Sequence, residues 1–274
     1  MMKDIAVLGA GAAGQFAALA AHDLGHRVTI ITTKNFYAPP GPFWFHWVPD
    51  SLKDKVEPVE ITLIPDGTEK EYQSLQWGRA PHGISSSFPK KITTAIGYNP
   101  VEVVWGAMPS FKIHKLSSKE KLNADQIEVF CDHYDLVFQT FPTDLSKDIM
   151  KPKQPYFVGE KLNFAPANGD KDNFVVYNGT GKGIWVRKVF LWGNLYFEFP
   201  KNLSLDMIEP VMERTHPDLT YHQLWDLNPY GAPYQLGAYA PRNLHLVGRW
   251  AEWNTKRLSH EAYDIAKELI NGCL

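Results

Sequence analysis

Gly9, Gly11 and Gly14 stand in G-x-G-x-x-G spacing directly after the short apolar run "DIAVL". In that spacing the first glycine permits a tight turn, the second lets a diphosphate approach the main chain, and the third lets a helix pack on a strand. Ala12, Ala13 and Gly14 open an Ala- and Leu-rich stretch, Ala12 to Leu24, able to propagate a helix whose first N–H groups face the phosphates. Gly25 stops it, and "RVTIIT" supplies a β-branched second strand. A purely structural glycine-rich turn is the alternative, but a strand before the motif and a helix and strand after it argue for dinucleotide binding. The acidic ribose ligand normally found after the second strand is replaced by Thr32, Thr33 and Lys34. A threonine hydroxyl can bond a ribose, whereas Lys34 suits either a 2′-phosphate, as in NADP, or a diphosphate. This end of the chain therefore leaves the dinucleotide open.

Residues 243–272, "NLHLVGRWAEWNTKRLSHEAYDIAKELING", provide the second half of the pattern. "LHLVG" is a short strand ending at Gly248. Leu258, Ala262, Ile265, Ala266, Leu269 and Ile270 then recur at helical spacing, with Ser259 as the predicted N-cap and Gly272 behind them. A strand, Gly-Arg and a closing helix resemble the returning segment of UDP-galactopyranose mutases and amine-oxidase-like flavoproteins. The resemblance implies that Gly248 backs onto a flavin diphosphate, that Arg249 contacts it, and that Leu258 and Ser259 begin a helix facing the flavin N1/O2 edge. A helix N-terminus suits the negative charge a reduced flavin gathers there. FAD is the cofactor so implied. "YDLVFQTFP" resembles the central strand of the same domains, and "EYQSLQWGRAPHGISSSFP" resembles a segment of short, phage-encoded flavoproteins.

Between these ends, "FYAPPGPFWFHWVPDSL" is too rich in proline and aromatics for a helix. Trp44, His46 and Trp47 are candidates for flavin or substrate contact, against a packed aromatic loop as the plainer reading. His260, at the start of the closing helix, is a second candidate catalytic histidine, although a lone histidine on a helix face is often structural. "NFVVYNGTGKGIWVRKVFLWGNLYFEF" reads as two or three strands, with "GTGKG" as a hairpin turn, since it lacks the glycine spacing and the Ser/Thr of a phosphate loop. Tyr177, Asn178, Trp185 and Arg187 are candidates to face a substrate, Arg187 as the holder of an anionic group. Residues 59–64 and 72–89 are predicted as a strand and a loop, 101–131 as an antiparallel meander, and 203–230 as a helix with a Pro-rich connection.

The elements that must position these residues give an α/β fold class: a discontinuous Rossmann-like FAD-binding domain (1–40, 110–150 and 240–274) with an antiparallel β (α+β) substrate lobe (41–109 and 151–239). The 274 residues are 44% hydrophobic and 21% charged, an ordinary globular composition, and a net charge of −2 argues against a broad phosphate-binding surface. Cys131 and Cys273 lack metal-ligand spacing, the histidines do not cluster, and no G-x-S-x-G elbow occurs. No metal is expected. "MMKD" runs straight into a strand and no apolar run reaches the roughly 18 residues that span a bilayer, so no membrane contact and a cytoplasmic location are expected.

The function expected is FAD-dependent oxidation of a C–N bond in a small molecule, with reoxidation by O₂, since no second dinucleotide motif is visible. The alternative is a redox-neutral flavoenzyme, a mutase or lyase, including one acting on amino-acid-modified thymidine in DNA. The DNA case requires Lys34, Lys90, Lys91, Arg187 and Lys256 to form one basic face. A non-catalytic or NADP-binding module is a third possibility. The oligomeric state is not legible.

Overall fold

The computed structural model describes residues 1–32, 44–77, 87–107, 111–116, 122–141, 150–152, 160–164, 172–200, 203, 205–215, 221–225, 234–236, 241–248, 251 and 258–272. In chain order the elements begin β1 (Asp4–Leu8), α1 (Ala12–Asp23), β2 (Arg27–Thr32), α2 (Asp50–Lys53), β3 (Pro58–Gly67), α3 (Glu69–Trp77) and β4 (Thr93–Tyr98). They continue α4 (Pro100–Ala107), β5 (Lys112–Lys115), α5 (Ala124–His133), β6 (Leu136–Gln139), β7 (Met150–Pro152), β8 (Glu160–Phe164) and β9 (Phe174–Gly179). The last are β10 (Arg187–Leu191), β11 (Asn194–Phe199), α6 (Leu205–Thr215), β12 (Tyr221–Trp225), β13 (Tyr234–Leu236), β14 (Leu244–Leu246) and α7 (Ala262–Gly272). They group into two units: Met1–Glu57, Tyr98–Tyr156 and Pro229–Leu274 form the first, and Pro58–Gly97 and Phe157–Asn228 the second.

The first unit is built on a parallel five-stranded sheet in the order β14-β6-β1-β2-β5. Along β1, Ile5 and Val7 pack with Phe16, Ala17 and Ala20 of α1 and Ala262, Ala266 and Ile270 of α7, whereas Ala6 and Leu8 pack with Ile127 and Cys131 of α5. A strand covered on both faces needs apolar side chains at every position, which is why "IAVL" shows no alternation. The alanines of α1 let α7 approach closely. At the far end of α1, the Gly25 N–H donates to the His22 carbonyl and the His26 N–H to that of Ala21.

One prediction fails in this unit. Residues 101–131 are not an antiparallel meander but α4, a strand β5 parallel to β2, and α5. The β-branched run "VEVVW" is helical because Asn99 accepts from the Val101 N–H (3.0 Å), Pro100 takes the first helical position, and Val103, Val104 and Ala107 become buried. α5 starts with a capping box between Asn123 and Gln126.

The second unit is a seven-stranded sheet in the order β12-β8-β11-β10-β9-β3-β4. The neighbours from β12 to β9 pair antiparallel, but β3 runs parallel to β9, so the expected antiparallel lobe is a mixed sheet. β3 and β9 end together where Gly67 and Gly179 cross: a Cβ on Gly67 would lie 2.0 Å from the Gly179 carbonyl oxygen. Ile208 and Met212 of α6 pack on Phe190, Leu195, Phe197 and Phe199. Residues 72–77 of the segment predicted as a loop belong instead to the helix α3.

Candidate functional site

Strands β2 and β5 lie on one side of β1, β6 and β14 on the other, so the strand order reverses at the C-terminal end of β1. Ligands of doubly wound folds bind in the crevice such a reversal opens. Gly9 sits there with φ +106°, and its N–H donates to the Ile31 carbonyl (2.8 Å). A Cβ on Gly14 would lie 2.0 Å from the Gly9 carbonyl oxygen, so the third glycine is the condition for α1 to lie against the turn. A Cβ on Gly11 would meet nothing within 4 Å. Gly11 is also the N-cap of α1, with no side-chain cap and no acidic residue in the first turn. Space and N–H donors are therefore left together at Gly11, Ala12 and Ala13, which is what a diphosphate requires.

Two residues that sequence reasoning missed hold this turn. The Thr140 hydroxyl, just beyond β6, donates to the Leu8 carbonyl (2.9 Å), and the Thr140 N–H reaches the same oxygen (3.1 Å). The buried Gln15 amide donates to the Ala10 carbonyl (2.9 Å). Thr32 is buried at the end of β2, where its carbonyl accepts from the Leu116 N–H (2.8 Å). Thr33, Lys34 and Arg249 lie outside the described residues.

The other end of the chain comes to the same helix. Gly248 has φ +93°, and a Cβ on it would lie 2.5 Å from the Ala13 Cβ and 3.9 Å from that of Ala262. The predicted N-cap Ser259 is instead the first residue of a 3₁₀ turn, Ser259–Glu261, capped by Leu258. The reason is Glu261, whose carboxylate accepts from the Leu258 N–H (2.7 Å) while the Glu261 N–H donates to the Leu258 carbonyl (3.2 Å). α7 is tied down further along: the Tyr263 hydroxyl donates to Asp23 at the end of α1 (2.8 Å), as does Ser51 of α2 (2.8 Å).

The two histidine candidates meet in this unit. The His46 and His260 ring centroids are 6.1 Å apart, and His260 also faces Phe16 (6.3 Å) and Trp47 (6.2 Å). The Trp44 indole N–H donates to His46 Nδ1 (3.3 Å). An indole only donates, so the acceptor Nδ1 is bare and neutral His46 carries its proton on Nε2. Partial burial lowers the pKa of His46 below its ordinary value. That of His260 is lowered by burial first and then by the neighbouring His46, against Glu261 and Asp264. Both rings are thus held neutral near pH 7.

Arg187 belongs to the second unit and not to this group. Its guanidinium is ion-paired with Glu198 across β10 and β11, with little of either side chain exposed, and lies 6.0 Å from the Tyr177 ring centre. Tyr72 packs on Tyr177 (5.6 Å between centroids), and burial pushes its hydroxyl up to about 12. The ion pair removes Arg187 from the basic face the DNA reading needs. Of the others, Lys90 and Lys91 are exposed, and Lys34 and Lys256 lie outside the described residues. Asn178 donates to the Lys182 and Trp185 carbonyls (2.9 and 2.8 Å), which makes "GTGKG" an ordinary pinned turn. Among the described residues, no group of three or more His, Cys, Asp or Glu could hold a metal ion, and no helix is long and apolar enough to cross a membrane.

No family model and no curated protein matches the chain. Solved structures do. A flavin-dependent brominase matches with TM-score 0.52 at 9% identity, covering 100% of this chain and 80% of its own. The flavin-dependent halogenase CmlS matches with TM-score 0.53 at 12% identity, covering 100% of this chain and 57% of its own. The p-nitrophenol 4-monooxygenase PnpA from Pseudomonas putida DLL-E4 matches with TM-score 0.53 at 11% identity, covering 99% of this chain and 80% of its own. The fold is therefore the α/β fold these halogenases and monooxygenases carry, a parallel dinucleotide-type sheet with a second, mixed one. This chain spans little more than half the length of the halogenase. Two of the three are described as flavin-dependent, which agrees with FAD as the dinucleotide.

Proposed function

We propose that the first unit binds FAD and that the protein is a flavin-dependent enzyme of the oxidoreductase type. The observation that carries this reading is the junction of Gly9, Gly14 and Gly248 on α1, with open space left at Gly11. Gly11, Ala12 and Ala13 hold the diphosphate, Gly248 backs the same helix start, Thr32 lies toward the ribose, and the turn Leu258–Glu261 lies beside the ring. Thr33, Lys34 and Arg249 complete the binding set. FAD, when bound, supplies a two-electron acceptor.

The chain's own contribution is positioning and proton management. Trp44 fixes His46 as an Nε2–H donor, and His260, neutral and packed beside it, is the partner free to take a proton. Phe16 and Trp47 flank the His260 ring, while His46 keeps access to solvent. Two neutral imidazoles suit removal of hydride from a carbon bearing an amine, because the amine must shed a proton to become a good donor. Oxidation of a C–N bond in a small molecule is therefore the narrower reading. The fold neighbours favour a second one, monooxygenation or halogenation of the substrate.

Purified protein is expected to be yellow, with one FAD per chain after reconstitution. Anaerobic bleaching by an amine supports C–N oxidation. Bleaching only by an external reductant, followed by oxygen- or halide-dependent product, supports the second reading. Protein that takes up no flavin ends both.

A further inference from the structure

The hydrogen bond from the Leu258 N–H to the Glu261 carboxylate places a full negative charge at the end of the closing helix that its backbone makes positive. Glu261 is half-buried, as are Ser259 and His260 beside it, and its charge is felt at the His260 imidazole. A bare helix start favours a nearby anion. One whose first donor is already taken by a carboxylate disfavours a second negative charge close by.

We propose, resting on the flavin reading above, that Glu261 sets the reduction potential of the bound cofactor. Two-electron reduction adds negative charge to the N1/O2 edge of the isoalloxazine, the edge that reading sets beside this turn. Glu261 withholds the Leu258 donor and adds its own charge, so the reduced form is less stable than an uncharged cap would make it. The potential is held lower than an uncharged cap at this position would set it.

Glutamine at this position keeps the capping bond through its amide oxygen and removes only the charge. The test is the midpoint potential of FAD-loaded wild-type, Glu261→Gln and Asp264→Asn proteins, measured at fixed pH against an indicator dye of known potential. Glu261→Gln should raise the potential by about tenfold in the reduced-to-oxidised ratio, ~30 mV for a two-electron couple. Asp264 is exposed one turn on and takes no part in the cap, so Asp264→Asn should shift it much less. Glu261→Ala, which loses bond and charge together, should move the potential in the same direction and serves if the glutamine variant folds poorly. Equal potentials in yellow wild-type and Glu261→Gln proteins overturn the inference, as does an equal shift from Asp264→Asn. Wild-type protein that takes up no FAD fails the flavin reading itself, and this inference with it.

Discussion

Gly248 and Ala13 meet so closely that a Cβ on the glycine would lie 2.5 Å from the alanine Cβ, at a backbone φ of +93°. The contact joins the segment after β14 to the first turn of α1. Gly248→Ala should cost roughly 1–3 kcal/mol of apo stability through overpacking and strain, and should weaken FAD retention. Urea unfolding of the apoprotein, with the visible absorbance of the holoprotein, measures both.

Gly11 and Gly14 separate binding from folding. Gly14→Ala pushes a methyl group against the Gly9 carbonyl and should lower the apo melting temperature sharply. Gly11→Val points into open space at an ordinary φ of −68°, so apo stability should stay within about 1 kcal/mol of wild type. FAD uptake should nevertheless be lost. A Gly11→Val protein that stays fully yellow would show the diphosphate lies elsewhere.

Tyr263 and Asp23 should be energetically coupled. Tyr263→Phe removes one hydrogen bond and should cost about 1 kcal/mol, while Asp23→Ala also removes the exposed bond from the Ser51 hydroxyl, which water replaces, and should cost only a little more. In a double-mutant cycle the pair should cost less than the sum of the singles.

Acid should destabilise the fold through its partly buried histidines. Burial lowers the pKa values of His26, His46, His245 and His260 from 6.5. Between the lowered folded values and 6.5 the unfolded chain binds more protons, so stability rises with pH there. The contribution is complete above about 6.5 and is lost as pH falls through the folded values. Melting temperatures should hold near pH 7–8 and decline below pH ~6.5. His260→Gln should flatten that decline.

Arg187 and Glu198 should tolerate joint replacement better than single replacement. Arg187→Met alone leaves a buried carboxylate without its guanidinium and should cost roughly 3–5 kcal/mol. Adding Glu198→Met should restore much of the loss, because the desolvation of both charges disappears. Urea midpoints of the three variants settle the order.

What the sequence made legible was local or periodic. The strand–turn–helix–strand at Gly9 to Gly14 and the returning strand and helix at Gly248 to Gly272 were readable because glycine spacing and apolar period agree there. α4 and α5 were misread although Asn99-Pro100 and the Asn123/Gln126 pair are helix-start signals. The β-branched residues between them outweighed those caps, and burial of Val103 and Val104 decided the outcome. Thr140 and Gln15 carried no signal at all: Thr140 matters only because β6 lies beside β1, a pairing made far along the chain. The parallel alignment of β3 with β9 was invisible for the same reason. His46 and His260 stand more than two hundred residues apart, and nothing in the residues announces that they meet.

β6 lies between β1 and β14, and α7 covers the Ala-rich face of α1. During translation, then, β1 and α1 emerge before Thr140 can hold the turn between them and before α7 can cover the bare side of the helix. That surface invites chaperones until the final turns of helix leave the ribosome. On the flavin reading, cofactor capture comes late in biosynthesis, and a chain halted before residue 262 should be cleared as a colourless, protease-sensitive fragment.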